Sequence, residues 1–105
     1  MARVLFYCDH HEIPLPEGHK FPKQKYRLLR ETLQRDGFFQ FAEAPMADPG
    51  DIRAAHDPTY VDGFLEGTLT PAAVRRIGFP WSAGLVKRTL ASVGGTLSAV
   101  EQAFE

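Results

Sequence analysis

The stretch between the first predicted strand and the first predicted helix is the feature that most constrains the fold. Residues 3–8 form a short apolar run rich in strand formers, typical of a strand covered on both faces of a parallel sheet. Residues 9–22 contain Pro14, Pro16 and Gly18, which exclude regular structure, and three of the chain's four histidines. Most connections between a strand and a helix run about 2–6 residues, so this loop is an outlier. Ligands of open α/β folds bind beyond the carboxyl ends of strands, so the loop indicates a functional region.

A helix and a second strand are predicted after the loop. Pro22 suits the first turn of a helix, and Gly37 is placed to end it. Three residues recur at the spacing of one buried helical face: Tyr26, Leu29 and Leu33. Residues 38–41 are the second strand candidate. Residues 3–44 therefore predict a βαβ unit with parallel strands and a right-handed crossover.

Three short helices are predicted next, because the same start signal occurs three times. Each combines a side-chain cap with a proline at the first helical position: Asp48-Pro49, Asp57-Pro58 and Thr70-Pro71. In the second of these helices Gly67 marks the end, and four residues form the predicted buried stripe: Tyr60, Val61, Phe64 and Leu65.

The last predicted helix covers residues 83–104. Its apolar residues are spaced four and three apart and predict one packed face: Val86, Leu90, Val93, Leu97, Val100 and Phe104. Gly94-Gly95 interrupts this helix at a cost of about 1 kcal/mol for each glycine, which predicts close approach of another backbone. Two strands cannot cover so long a face, so the sequence indicates part of a larger α/β domain.

Composition narrows the functional classes. The net charge of −1 gives no basic face for direct nucleic-acid binding, and Arg75-Arg76 with Lys87-Arg88 is the main basic concentration. Cys8 is the single cysteine, which excludes an internal disulfide and favours a reducing compartment. The sequence shows neither a signal-peptide core nor a membrane span, so we expect a cytoplasmic protein without a membrane partner.

The loop also contains residue types that bind metals. Asp9, His10, His11, Glu12 and His19 offer imidazole and carboxylate ligands. Adjacent residues of an extended segment point in opposite directions, so we expect His10 and His11 not to face one ion unless the chain makes a special turn there. Solvated or hydrogen-bonded loop residues are the alternative that this geometry favours. No serine lies on a strained turn typical of a catalytic nucleophile, and no phosphate-binding glycine pattern follows either strand.

The order of motifs along the chain resembles the amino-terminal third of the histone deacetylase superfamily. The matching segments are Tyr7, residues 19–22, Lys25-Tyr26, residues 28–30, residues 56–61, Phe64-Leu65, residues 75–81 and residues 94–97. The stretch Arg-Ile-Gly-Phe-Pro, residues 76–80, is similar to the bacterial and class IV branch. The resemblance identifies residues 1–105 as the amino-terminal segment of a single deacetylase-like domain that is incomplete here.

The resemblance implies an arginase-like α/β fold with a central parallel sheet. It also implies zinc-dependent hydrolysis of acetyl-lysine or a related acylated amine, in which zinc polarises the carbonyl and activates water. In the family the zinc ligands and the catalytic histidine pair come later than the helix that ends this sequence. His10-His11 precedes that helix and does not match the pair. We therefore expect no catalytic and no metal residue in this chain, and no activity of the chain alone.

The loop and the turn around Phe79 are the parts of the resemblance that bear on a site. In relatives they lie at the wall and rim of the substrate channel, which makes four residues candidates: His19, Phe21, Pro22 and Phe79. The alternative is that these residues only fix the loop against the first helix. A different class of function also remains open, namely a non-catalytic module that self-associates through the apolar face from Val86 to Phe104.

Overall fold

A computed structural model describes residues 3–105, which form a mixed α/β structure with a two-stranded parallel sheet and five helices. This confirms the predicted α/β class. The elements in chain order are β1 (Val4–Tyr7), α1 (Gln24–Asp36), β2 (Gln40–Glu43), α2 (Pro49–Ala55), α3 (Pro58–Glu66), α4 (Pro71–Ile77) and α5 (Ala83–Ala103).

The two strands pair in parallel, as the βαβ prediction requires. Val4 lies opposite Gln40 and Tyr7 lies opposite Glu43. The second strand begins two residues later than predicted, because the chain leaves α1 through Gly37, whose φ of 70° is left-handed. The carboxyl ends of both strands meet at one edge of the sheet. The long loop therefore starts beside Glu43.

The three predicted cap-and-proline starts are confirmed. Asp48 accepts a hydrogen bond from the Gly50 amide at 2.9 Å, and Asp57 accepts one from the Thr59 amide at 3.0 Å. Thr70 Oγ1 accepts from the amide of Ala73 at 3.2 Å. These side chains satisfy amides that a helix start leaves without partners. A fourth cap, Ser82, was not predicted; its side chain accepts a hydrogen bond from the Leu85 amide at 2.9 Å at the start of α5.

The predicted buried face of α1 is wrong. Tyr26 and Leu29 are 38% and 55% exposed, and Leu33 is half-buried. Pro22 precedes the helix instead of lying in its first turn. Within residues 3–105 no other helix packs closely along α1, which is attached through a few side chains described below. The apolar spacing predicted that α1 is a helix, but it did not show whether another element covers its apolar face.

The packed face of α5 also differs from the predicted one. Its buried residues are Leu85, Arg88, Ala91 and Gly94, whereas Leu97, Val100 and Phe104 are 41%, 48% and 87% exposed. Close backbone contact explains the difference. A Cβ atom on Gly94 would overlap the Pro45 carbonyl, and the Ala47 amide donates a hydrogen bond to the Leu90 carbonyl at 2.9 Å. The approach predicted from Gly94-Gly95 is thus confirmed. Because of this close contact, the face of α5 that contains Ala91 and Gly94 packs inward.

The core of the described chain is small. Its buried apolar residues are Ile13, Ala44, Ala47, Val61, Leu85 and Ala91. In the predicted stripe of α3, Val61 is buried and Phe64 and Leu65 are half-buried, but Tyr60 is 45% exposed. The radius of gyration is 15.4 Å, larger than the roughly 13 Å of a compact domain of this length. No helix in residues 3–105 is long and apolar enough to cross a membrane.

Candidate functional site

The loop after β1 begins with a buried ion pair. Arg30 of α1 donates two hydrogen bonds to the Asp9 carboxylate, one to each oxygen, both at 2.8 Å. The Asp9 side chain is only 4% exposed, and the Arg30 guanidinium lies 4.7 Å from the centre of the Tyr7 ring. The hydrogen bonds from Arg30 lower the pKa of Asp9, and the same bonds raise the pKa of Arg30. Asp9 therefore anchors the loop to α1 and is not a free metal ligand.

The two adjacent histidines lie side by side. The chain turns directly after Cys8, whose carbonyl accepts a hydrogen bond from the His11 amide at 3.1 Å. This turn places the centroids of the His10 and His11 rings 4.1 Å apart. The segment is not extended here, and this turn is the condition under which the two adjacent rings can lie side by side. His10 Nε2 also lies 3.8 Å from a carboxylate oxygen of Glu43, across the edge of the sheet.

The surroundings of His11 favour its neutral form. Burial lowers the pKa of His11 most, and the nearby His10 and Lys87 lower it further, while Glu43 opposes them. Residues 3–105 contain no group of three or more histidine, cysteine or acidic side chains placed to hold a metal ion. The histidine pair thus lies at the carboxyl-end edge of the sheet, and within residues 3–105 it is not part of a group placed to hold a metal ion.

His19 joins the end of the loop to the turn after α4. Its Nε2 donates a hydrogen bond to the Gly78 carbonyl at 2.9 Å. Its Nδ1 accepts one from the Phe21 amide at 3.1 Å, so the ring is a neutral imidazole protonated at Nε2. The ring also stacks on Phe79 at a centroid distance of 5.4 Å. Both nitrogens are engaged, so His19 acts here as a clamp between two segments far apart in sequence.

Aromatic contacts extend this clamp to α1 and α5. The Phe21 ring meets Phe79 edge to face at 5.0 Å and stacks on Tyr26 at 5.8 Å. The guanidinium of Arg88, which is 9% exposed, lies 5.0 Å from the centre of the Tyr26 ring and donates to the His11 carbonyl at 3.3 Å. We call His19, Phe21, Tyr26 and Phe79 the aromatic cluster. The burial of Arg88 was not predicted, because its neighbour Lys87 made the pair look like a basic concentration at the surface.

Two cavities flank the aromatic cluster. The first, of about 700 Å³, is an open groove between the loop and α1 that includes His19, Phe21, Pro22 and the exposed Leu28 and Leu29. We call it the loop groove. The second, of about 310 Å³, lies among α2, α3 and α5 and has Phe79 in its wall. Three of the four predicted site residues are therefore in mutual contact, and Pro22 lies beside them in the groove.

Comparison with curated proteins finds a relative that is itself uncharacterized. The chain is 44% identical over 108 residues to an uncharacterized protein of Picosynechococcus sp., in an alignment that covers 100% of this chain and 36% of the relative. The chain thus spans about a third of the length of the curated relative it matches. No protein-family model matches the chain.

Proposed function

We propose that this chain is the amino-terminal segment of a zinc-dependent amidohydrolase similar to histone deacetylases, with an arginase-like fold. Its substrate would be an acetyl-lysine or a related acylated amine. The order of the sequence motifs and the parallel βαβ unit support the proposal. The observation that carries it is the aromatic cluster: His19 and Phe21 of the loop contact Gly78 and Phe79 of the turn. The resemblance assigns these two segments to one channel.

The residues of this chain would shape the channel and take no part in bond cleavage. His19 has both ring nitrogens in hydrogen bonds, and Asp9 is held by Arg30. Residues 3–105 offer no ligand set that fits zinc, so no step of the reaction is assigned to them. The zinc ligands and the proton-transferring histidines would belong to further sequence. The relative, of which the chain matches 36%, is long enough to contain them. A cytoplasmic location, expected from the sequence, is part of the same proposal.

The test measures acetate release from acetyl-lysine peptides by the full-length protein loaded with zinc. We expect turnover by that protein, and none above a no-protein control by residues 1–105 alone. Phe21→Ala and Phe79→Ala should lower kcat/KM and leave the zinc content unchanged. Phe38→Ala is the matched control, because Phe38 is 73% exposed and lies outside the cluster. No acetate release by the full-length protein would refute the proposal. Variants that lose stability but keep substrate affinity would refute the channel-wall role.

The exposed half of α5 favours a second candidate function, a non-catalytic module that self-associates. Leu97, Val100 and Phe104 are spaced three and four apart and are largely exposed, as in the contact face of a helical dimer. Sedimentation of the chain should then show a defined dimer that Leu97→Glu and Val100→Glu dissociate. A monomer, or aggregation without a defined size, would exclude this function.

A further inference from the structure

The loop groove combines an apolar floor with a basic rim. Phe21 and Leu15 are half-buried in its wall, while Leu28 and Leu29 are 54% and 55% exposed. Its volume of about 700 Å³ lies in the range of 300–1,000 Å³ typical of ligand sites. An exposed apolar floor of this kind suits an apolar side chain of a bound ligand.

The rim has an excess of positive charge, although the whole chain has a net charge of −1. Lys23 and Lys25 line the groove. Lys20 does not line it but is adjacent in sequence to the lining residues His19 and Phe21, as Glu17 is to Pro16 and Gly18. In residues 3–105 neither Lys20 nor Lys25 forms an ion pair, and Lys25 contacts the Tyr26 ring instead. Lys23 donates to the Ile13 carbonyl and lies 3.8 Å from a carboxylate oxygen of Glu12, itself 87% exposed.

The acidic residues of the same stretch do not cancel this charge. Residues 15–32 contain Glu17 and Glu31. Glu31 lies 3.5 Å from Arg27, one turn along α1, so that pair neutralises itself. Lys23 is likewise paired with Glu12, so in residues 3–105 Lys20 and Lys25 remain outside ion pairs against Glu17, an excess of one positive charge. This excess of positive charge favours an anionic ligand over a cationic one at the groove.

We infer that the loop groove binds an acidic and apolar segment flanking the acylated amine of the substrate. This inference rests on the proposed function, since the groove shares His19, Phe21 and Pro22 with the proposed channel wall. An apolar side chain of the substrate lies on Leu28 and Leu29, and neighbouring carboxylates face Lys20 and Lys25. A lysine-rich flank is disfavoured by the same charges, so the groove selects by repulsion as well as attraction.

The experiment compares three acetyl-lysine peptides of equal length whose flanking residues alternate leucine with glutamate, glutamine or lysine. For the zinc-loaded full-length protein, kcat/KM should be highest for the glutamate peptide, intermediate for the glutamine peptide and lowest for the lysine peptide. The extremes should differ by about tenfold at low ionic strength, and the difference should shrink as salt screens the charges. Fluorescence anisotropy with the same labelled peptides gives the binding order independently of turnover.

A double variant with reversed charge at the groove tests the role of the lysines, and a double variant with reversed charge on α4 is its control. Lys20→Glu with Lys25→Glu should abolish or invert the peptide order in both assays. Arg75→Glu with Arg76→Glu changes the net charge equally on α4, none of whose residues lines the groove, and should preserve the order. Equal use of the three peptides, or the same loss in the α4 control, would overturn the inference while turnover still supports the proposed function. If no peptide is hydrolysed, the proposed function fails, and the anisotropy order alone decides whether the groove prefers acidic segments.

Discussion

The ion pair between Asp9 and Arg30 predicts a large stability loss when Arg30 is replaced. Arg30→Met keeps a long apolar stem but removes both 2.8 Å hydrogen bonds from a carboxylate that is 4% exposed. Removing one partner of a buried pair costs about 3–5 kcal/mol. Because the Arg30 side chain is itself 21% exposed, water screens part of the pair, and we expect a loss of about 2–4 kcal/mol in the free energy of unfolding.

Urea denaturation followed by circular dichroism measures this loss. The matched control is Arg27→Met in the same helix. Its partner Glu31 is 48% exposed, so that change should cost less than about 0.5 kcal/mol. A double-mutant cycle with Asp9→Asn should show that the double variant loses less than the sum of the single variants, because a neutral amide is less costly to leave unpaired. A loss no greater than that of Arg27→Met, or a cycle without coupling, would refute the reasoning.

The same pair sets the pH dependence at the acid end. The pKa of Asp9 is lowered from 3.8 in the folded protein, so the unfolded chain takes up the proton at a higher pH than the folded one. The stabilisation from the pair is therefore complete above about pH 5, and it is lost as the pH falls through the unfolded and then the folded pKa. Stability curves of Arg30→Met should be flatter than wild type over this acid range.

Three further measurements follow from other contacts. Gly94→Ala should lower stability by about 1–3 kcal/mol despite its better helix propensity, because its Cβ would overlap the Pro45 carbonyl. Gly95→Ala should cost less, and equal urea midpoints for both variants would contradict this. His19→Ala should speed hydrogen exchange at the Phe21 amide, while unchanged exchange would exclude the clamp. The pKa of His11 is lowered from 6.5, so stability should fall as the pH drops below the unfolded value and then through the lower folded pKa, and His11→Gln should weaken that slope.

The local signals in the sequence predicted the elements well. The side-chain oxygens of Asp48 and Asp57, and a glycine such as Gly37, act on backbone groups within a few residues, so their effect does not depend on the rest of the fold. The order strand, helix, strand also predicted the parallel βαβ unit, because strands joined by a crossover helix pair in parallel. Burial was predicted less well, because periodic apolar residues such as Leu29 mark a helical face whether or not another element covers it.

The loop of residues 9–22 shows the same contrast between what the sequence predicts and what depends on packing. By itself the sequence determined that a long, irregular segment leaves the carboxyl end of the first strand. Only the tertiary structure decided what its residues do. It paired Asp9 with Arg30, placed His10 beside His11, and brought His19 to Gly78, a residue 59 positions away. Such contacts depend on where separate elements pack, and no spacing within a short window contains that information.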